Sequence, residues 1–560
     1  MASTPLRVID TARQHAVLPW RGWALHGLSQ RLLIVLLAGL VVLPLAVVAL
    51  ELLTPTADIW AHLWATVLPR MIRNTALLLV AVGTGTFVLG TGLAWLVTAY
   101  RFPGRNLFDW LLLLPLAMPS YILSFVFIAT FDYAGPVQSL LRAWFGREVW
   151  FPNIYSGWSA ALVMSLVLYP YVYLLARAAF REQCATTFDA ARVMGYNRTQ
   201  TFVRLVLPLA RPSIVAGVTL AMMEALSDFA TVRFFIFPTL SEGVFRVWEG
   251  MMNRQAAMEL ASLLFLAALA VVLVERGLRG KARYYQTGGR SRRFEAVRLH
   301  GWRGWLAMAL CGAMLASAFV LPSIQLIIWT IDEFARDGAG GTLNVAFLRY
   351  SQTTLTLAGL AAAVAVGWSL LLAHSTRLTG GWLARVGVRL ATLGYAMPGA
   401  VVAVGVLLTV SALDRQVGVW SGVLLTGTIV GLTYAYVTRF MAVSYGSVEA
   451  SLDKVTPTME QAARSLGASP RRVLWRIHLP LVSTGALTAA TLVFVDVMKE
   501  LPATLLLRPF GMDTLSIWAY LLAAEGFWEA AAVPSLSILG VGVVPVFLLM
   551  RLNSGGNQGE

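Results

Sequence analysis

The pattern that decides the fold is written twice: DAARVMGYNRTQTFVRLVLP at residues 189–208 and QAARSLGASPRRVLWRIHLP at residues 461–480. In both copies a pair of alanines precedes a glycine, and a Leu-Pro pair closes the pattern. The copies lie 272 residues apart at each of these landmarks (461 − 189, 467 − 195, 480 − 208). Equal internal spacing over such a distance indicates duplication of a whole module.

The composition places both copies in a membrane protein. Of the 560 residues, 58% are hydrophobic and 13% are charged, and the mean hydropathy is +0.71. A soluble domain carries about 25% charged residues, so this chain has too little polar surface for water. Apolar runs near the roughly 20 residues that a crossing needs lie at about 32–53, 75–99, 108–131, 157–176, 212–232, 256–274, 303–331, 353–374, 387–410, 419–438, 482–505 and 530–551.

The net charge of +15 is explained by where the arginines lie rather than by nucleic-acid binding. Basic residues crowd residues 276–303, between the sixth and seventh runs, whereas the connections on the other side carry acids such as Asp58, Asp132 and Asp337. Under the positive-inside rule the linker, both repeated patterns and both chain termini are predicted to be cytoplasmic. Basic loops of this kind contact anionic lipid headgroups, so membrane lipid is an expected partner and nucleic acid is not.

The runs divide into two sets of six, which predicts an all-α polytopic membrane protein with about twelve transmembrane helices in two parallel six-helix repeats. A second echo, LPLAMPS at residues 114–120 and LGYAMPG at residues 393–399, supports the duplication. The predicted organisation is a cytoplasmic tail, a first module, a basic linker, a second module and a C-terminal tail, at residues 1–31, 32–275, 276–302, 303–551 and 552–560.

Each repeated pattern is predicted to form a short helix, a turn at glycine and a second short helix. Glycine accepts the left-handed backbone that follows a helix C-terminus, which suits Gly195 and Gly467. The apolar residues of the second helix, including Val203 and Val206, are expected to bury against the membrane domain. Pro208 and Pro212 are expected to break the segment before the fifth span, and the second copy repeats this logic.

This helix-glycine-helix loop resembles the coupling loop of ATP-binding-cassette (ABC) importer permeases, whose motif reads Glu-Ala-Ala, three residues, Gly, nine residues, Ile, one residue, Leu-Pro. The resemblance implies the type I permease fold and coupling loops within residues 177–211 and 439–481 that dock onto a cytoplasmic ATPase. Asp189 and Gln461 replace the family's Glu, and the loss of charge at Gln461 weakens any charge-dependent contact there. The residues at the positions of the motif are Asp189, Ala190, Ala191, Gly195, Leu207, Pro208, Gln461, Ala462, Ala463, Gly467, Leu479 and Pro480.

The chain carries no phosphate-binding loop of the form Gly-x4-Gly-Lys-Ser/Thr. The resemblance therefore implies two copies of a separate ABC ATPase, on which ATP and Mg would bind, and no cofactor on this chain. The sequence also lacks a nucleophile elbow or a His-Glu-x-x-His zinc motif. We expect a transporter subunit rather than an enzyme, and we assign no metal or catalytic residue.

Two pairs of acids follow the repeated patterns, Glu224 with Asp228 and Asp496 with Glu500. Both pairs obey the 272-residue offset (496 − 224, 500 − 228). A spacing of four residues puts both carboxylates on one helix face, and acids within spans usually face a pathway or a partner. They are either part of a translocation path for a cationic cargo or structural, paired with Lys499, Arg233 or backbone groups.

The text around these acids, Glu224 to Val232 and Lys499 to Pro509, resembles fused permeases for ferric iron uptake. That resemblance implies a bacterial inner membrane protein and a periplasmic substrate-binding protein that delivers Fe(III). Fused permeases for thiamine share the layout, so thiamine, polyamine or phosphonate uptake stays open. A secondary transporter is a further alternative, but it would not need the duplicated docking loop.

Overall fold

The structure is a computed structural model that describes residues 21–53, 56–182, 191, 193–251, 253–279, 296–337, 342–418 and 424–554. Within these residues, eleven helical stretches are long and apolar enough to cross a bilayer. Helix Ile429–Leu452, which has 24 residues and contains Arg439, overlaps the tenth predicted run and is not among these eleven. The predicted all-helical polytopic fold is therefore confirmed.

The helices of the two halves follow one another in the same order. The first half contains helices Arg21–Glu51, Ala57–Thr66, Leu68–Ala99, Arg105–Leu111, Ser120–Phe131, Pro136–Phe145, Gly157–Glu182, Arg198–Thr201, Leu207–Ser227, Ala230–Phe234, Leu240–Phe245 and Arg254–Arg279. The second half contains helices Trp302–Leu315, Leu321–Asp337, Thr342–Thr379, Gly381–Ala391, Gly399–Leu413, Ile429–Leu452, Pro457–Ser465, Pro470–Val473, Leu479–Met498, Pro502–Leu507, Leu515–Ala524 and Trp528–Ser554. The 272-residue offset holds for helix starts such as Gly157 and Ile429.

The remaining elements are short. Turns of 3-10 helix cover Leu114–Ala117 and Leu393–Ala396, and π-helical segments cover Phe202–Val206, Arg246–Gly250, Ala316–Val320, Asp414–Gly418 and Leu474–His478. Two-residue strands Tyr100–Arg101 and Val297–Arg298 pair in parallel. This pair attaches the start of the second half to the end of the second span.

The third and ninth spans, predicted as single runs, are each built from two helices. The chain leaves its 3-10 turn at Met118 and Met397 with extended backbone, and a new helix begins after Pro119 and Pro398. A residue before proline is disfavoured in the α conformation, because the proline ring collides with its backbone. The apolar composition shows where the chain crosses but does not reveal these breaks.

Pro208 and Pro212 do not break the helix that forms the fifth span, contrary to our prediction, and Pro480 does not break the eleventh. Pro208 and Pro480 each follow a five-residue π-helical segment, in which Leu207 N–H bonds to Phe202 O and Leu479 N–H bonds to Leu474 O. The wider π turn accommodates a residue that lacks an N–H and whose ring would crowd the preceding turn of an α-helix. Each loop helix therefore runs continuously into the following span.

The two halves interleave. The first helix, Arg21–Glu51, packs against Thr342–Thr379, Gly381–Ala391 and Gly399–Leu413 of the second half. At Gly405 the approach is so close that a Cβ atom would lie 2.3 Å from the carbonyl oxygen of Pro44. One buried apolar cluster includes residues of both halves. The two predicted modules are therefore separate in the sequence, but they share one core in the structure. Most of the predicted linker lies outside the described residues.

Candidate coupling loops and translocation cavity

The second repeated loop is described almost completely. Helix Pro457–Ser465 is followed closely by Gly467, which has a left-handed backbone with φ 76°. The N–H of Ala468 donates to the carbonyl oxygen of Ala463 at 3.0 Å, and the N–H of Leu466 donates to that of Ala462 at 3.1 Å. This is the pattern of a helix closed by a left-handed glycine. Gln461 and Ala462 are exposed, and Ala463 is buried.

The first loop has the same closing geometry where it is described. Gly195 has φ 75°, and the N–H of Tyr196 donates to the carbonyl oxygen of Ala191 at 3.0 Å. Ala191 is fully buried, and its counterpart Ala463 is mostly buried. Asp189 and Ala190 lie outside the described residues. The predicted helix-ending role of both glycines is confirmed, and the docking role of the loops stays a prediction.

Large apolar side chains on both loops are exposed on the protein surface. Val193 is 89% exposed and Leu466 is 86% exposed, and Trp475 is also mostly exposed. Val203 is exposed as well, contrary to our prediction that it would bury, whereas Val206 is buried. If the loops lie in the cytoplasm, as predicted, these side chains are available for contact with another protein.

The loops connect directly to the fifth and eleventh spans. Leu207 and Leu479 are half-buried, and Pro208 and Pro480 are exposed at the start of these helices. Helix Leu207–Ser227 has 21 residues and is about 31 Å long at about 1.5 Å per residue. The coupling pattern stands at its beginning, and Glu224 stands in its last turn. One continuous helix therefore connects the loop to Glu224.

All four predicted acids line one cavity. This cavity of about 110 Å³ lies where the fifth and eleventh spans end, between residues of both halves. Glu224 and Asp228 come from the first half, Asp496 and Glu500 from the second, and their part in translocation stays a prediction. Arg439 and Lys499 share the cavity, as do Ser120, Tyr171 and Tyr395. With four carboxylates and two bases, the lining carries two more formal negative charges than positive ones.

Two of the acids cap the N-termini of short helices. Asp228 accepts from the N–H of Thr231 at 2.9 Å and from the Thr231 hydroxyl at 2.6 Å, and Ser120 donates to it as well. Glu500 accepts from the N–H of Ala503 at 2.9 Å and from the N–H of Thr504 at 3.0 Å. Such bonds satisfy the free N–H groups at a helix N-terminus. Asp228 and Glu500 thus hold equivalent structural positions in the two halves.

The other two acids face the cavity with bases beside them. Asp496 Oδ1 lies 2.9 Å from Lys499 Nζ, as the structural alternative predicted. Glu224 Oε2 lies 3.9 Å from Arg439 Nη2, beyond hydrogen-bond distance. The side chain of Glu224 is 34% exposed, against 2% for that of Glu500. Arg233, the other predicted partner, pairs instead with Glu249 at 3.0 Å.

Arg439 is the cavity residue that the sequence reasoning missed. We had placed it at the beginning of the second coupling loop, 439–481, but helix Ile429–Leu452 continues past it. Arg177, the predicted start of the first loop, is likewise inside helix Gly157–Glu182, where it pairs with Asp109 at 3.1 Å. A buried charge is costly unless it is paired, and these partners lie far away in the sequence. The sequence signal for Arg439 was Gly399, which gives space for the guanidinium and stands where the first half has Ser120.

Comparison with known proteins now supplies the family. A family model described as the binding-protein-dependent transport system inner membrane component matches residues 86–275 and again residues 341–555. The chain belongs to this family. It is an ABC importer permease with two fused modules, a multi-pass membrane protein whose relatives are transport proteins rather than enzymes.

The relatives of the permease are named for the transport of different cargoes. It is 26% identical to the Fe(3+)-transport system permease protein FbpB 2 of Haemophilus influenzae, over 86% of this chain and 90% of that protein. It is 22% identical to the ferric transport system permease protein FbpB of Actinobacillus pleuropneumoniae, over 81% of this chain and 66% of that protein. It is 31% identical to the sulfate transport system permease protein CysT of Salmonella typhimurium, over 35% of this chain and 69% of that protein.

Proposed function

We propose that the permease carries ferric iron, delivered by a periplasmic binding protein, across the bacterial inner membrane. The observation that supports this most directly is the cavity lined by four carboxylates and two bases. Fe(III) is a hard cation that takes oxygen ligands, and Glu224 and Asp496 present such oxygens at the cavity surface. The relatives named for ferric transport match most of this chain.

The size and charge of the cavity favour an ion over the alternative cargoes. Pockets for drug-sized organic molecules hold about 300–1,000 Å³, whereas this cavity holds about 110 Å³. Thiamine would therefore require a much wider passage. Sulfate and phosphonate are anions, and the excess of carboxylates opposes them. The sulfate relative matches only 35% of this chain.

The driving force in this proposal comes from two copies of a separate ABC ATPase that bind ATP and Mg. They dock on the two repeated loops, where Val193 and Leu466 offer exposed apolar contacts. Closure of the ATPases moves the loops, and the continuous helices transmit that movement to the acids at their far ends. This arrangement places the loops and both chain termini in the cytoplasm and the binding protein on the opposite face.

Transport by reconstituted vesicles tests the proposal. Vesicles holding the permease and its ATPase receive a candidate binding protein with radiolabelled Fe(III), thiamine or sulfate. We expect ATP-dependent accumulation of iron alone, and its reduction in the double variant Glu224→Gln with Asp496→Asn at equal protein abundance. Glu275→Gln, which alters an ion pair with Arg279 on the sixth span, is the matched control. Accumulation of thiamine or sulfate instead of iron would refute the cargo assignment.

A further inference from the structure

We propose that Arg439 is a tethered cation that occupies the carboxylates of the cavity between transport cycles, and that the cargo cation displaces it from Glu224. This inference rests on the proposed cation transport and adds a determinant of selectivity. Arg439 would exclude monovalent cations from the passage, because a cation must compete with a guanidinium that is permanently present. Three features of the cavity support this role: the asymmetry between the halves, the space at Gly399 and the unequal contacts of the guanidinium.

The acids of the cavity are duplicated, but its bases are not. Subtracting 272 from 439 and from 499 leads to Val167 and Ser227, which hold the equivalent places in the first half. Both residues also line the cavity. The four carboxylates therefore obey the pseudo-symmetry, while both cations come from the second half. A purely structural need to neutralise a carboxylate in each half would not produce this imbalance.

Gly399 makes room for the guanidinium. A Cβ atom on Gly399 would lie 1.9 Å from Arg439 Nη1 and 2.9 Å from Glu500 Oε1. The matching residue in the first half is Ser120 (399 − 279), whose hydroxyl donates to Asp228. The second half thus lacks a side chain at the point where Arg439 approaches Glu500. The space left by Gly399 therefore fits the guanidinium of Arg439 and lets it reach Glu500.

The guanidinium touches acids of both halves with unequal strength. Its Nη1 lies 3.0 Å from Glu500 Oε1, in a hydrogen bond between two nearly buried side chains. Its Nη2 lies 3.9 Å from Glu224 Oε2, which is outside hydrogen-bond range. The contact with Glu500 is therefore the anchor, and the contact with Glu224 is the exchangeable one. A cargo cation can take over Glu224 while Arg439 stays on Glu500.

Charge then decides which cations enter. Coulomb attraction to a carboxylate grows in proportion to the charge of the cation, so Fe(III) attracts Glu224 more strongly than a guanidinium does at equal distance. A monovalent ion has no such advantage. It also competes with a group whose effective concentration is high because it is attached to the same protein.

The test measures leakage and uptake in the same vesicles, containing the permease, its ATPase and the binding protein. Leakage of Rb⁺ without ATP reports on the block, and ATP-dependent Fe(III) uptake reports on transport. We expect Arg439→Gln to increase Rb⁺ leakage on the order of tenfold while iron uptake persists. Gly399→Ser changes no charge but displaces the guanidinium sterically, and it should increase leakage in the same direction.

Lys499→Gln is the matched comparison, because it removes one positive charge from the same cavity without touching the bridge to Glu224. A smaller increase in leakage than for Arg439→Gln supports the proposal, and an equal increase overturns it in favour of net charge alone. Unchanged leakage in both Arg439→Gln and Gly399→Ser also overturns it. If Arg439→Gln does not fold, Gly399→Ser decides. A wild-type protein that imports no iron refutes the proposed cargo, while the leakage comparison still tests the block.

Discussion

At the scale of single residues, two glutamates of the cavity share a charge but differ in surroundings. Glu500 caps a helix and pairs with Arg439, and its side chain is 2% exposed, so Glu500→Ala leaves a buried guanidinium without its partner. We expect a loss of stability of about 3–5 kcal/mol and a much lower melting temperature. Glu224→Gln should leave the melting temperature near that of the wild type and reduce transport. The opposite ranking of the two melting temperatures would contradict these assignments.

The two loop glycines are also residue-scale features. A Cβ on Gly195 or Gly467 meets nothing within 4 Å, so their requirement is backbone conformation rather than space. Alanine at such a left-handed position costs about 1–2 kcal/mol. We expect Gly195→Ala with Gly467→Ala to insert normally and to weaken binding of the ATPase, measured by co-purification. Gly446→Ala, in a helix and equally unobstructed, is the control. Undiminished ATPase binding would remove the docking role from the loops.

At the scale of elements, the short helix Arg105–Leu111 is attached to the span that leads into the first loop. Asp109 lies 3.1 Å from Arg177 and 2.6 Å from Arg181, and the Arg177 side chain is 3% exposed. Asp109→Ala should destabilise the protein by about 3–5 kcal/mol, because it removes the carboxylate that pairs with the buried guanidinium of Arg177. Glu51→Ala, at the end of the first helix and only partly buried, is a milder comparison. Equal thermal stability of the two variants would show that the pair contributes nothing.

Sequence patterns predicted some elements better than others, for physical reasons. The repeat located both loop glycines and all four acids, because duplicated spacing survives where the geometry must be kept. Arg439 and Arg177 were misplaced at the ends of spans, because their partners Glu500 and Asp109 lie more than sixty residues away. The prediction that Pro208 breaks the helix was wrong, because a π-helical segment that accommodates a proline has no signal of its own in the composition.

At the scale of the whole molecule, the interleaved halves should hold together without a covalent linker. The first helix packs on the second half, and Leu321–Asp337 contacts Ser120–Phe131 of the first half. We expect residues 1–288 and 289–560, produced together as separate chains, to co-purify through a tag on either one. The fragment 1–288 made alone is the control, and it should be recovered at lower yield because its contact surface is uncovered. Failure of the two fragments to associate would contradict the shared core.

In the proposed mechanism, separate ATPases act through two cytoplasmic loops and drive iron through one small acidic cavity. The most direct measurement is iron import by sealed vesicles together with the ATP hydrolysed in the same sample, with and without the ATPase subunits. The account predicts that import and hydrolysis rise together when the iron-loaded binding protein is added, and that both vanish when the ATPase is omitted. Iron import that continues at the same rate without the ATPase would contradict it.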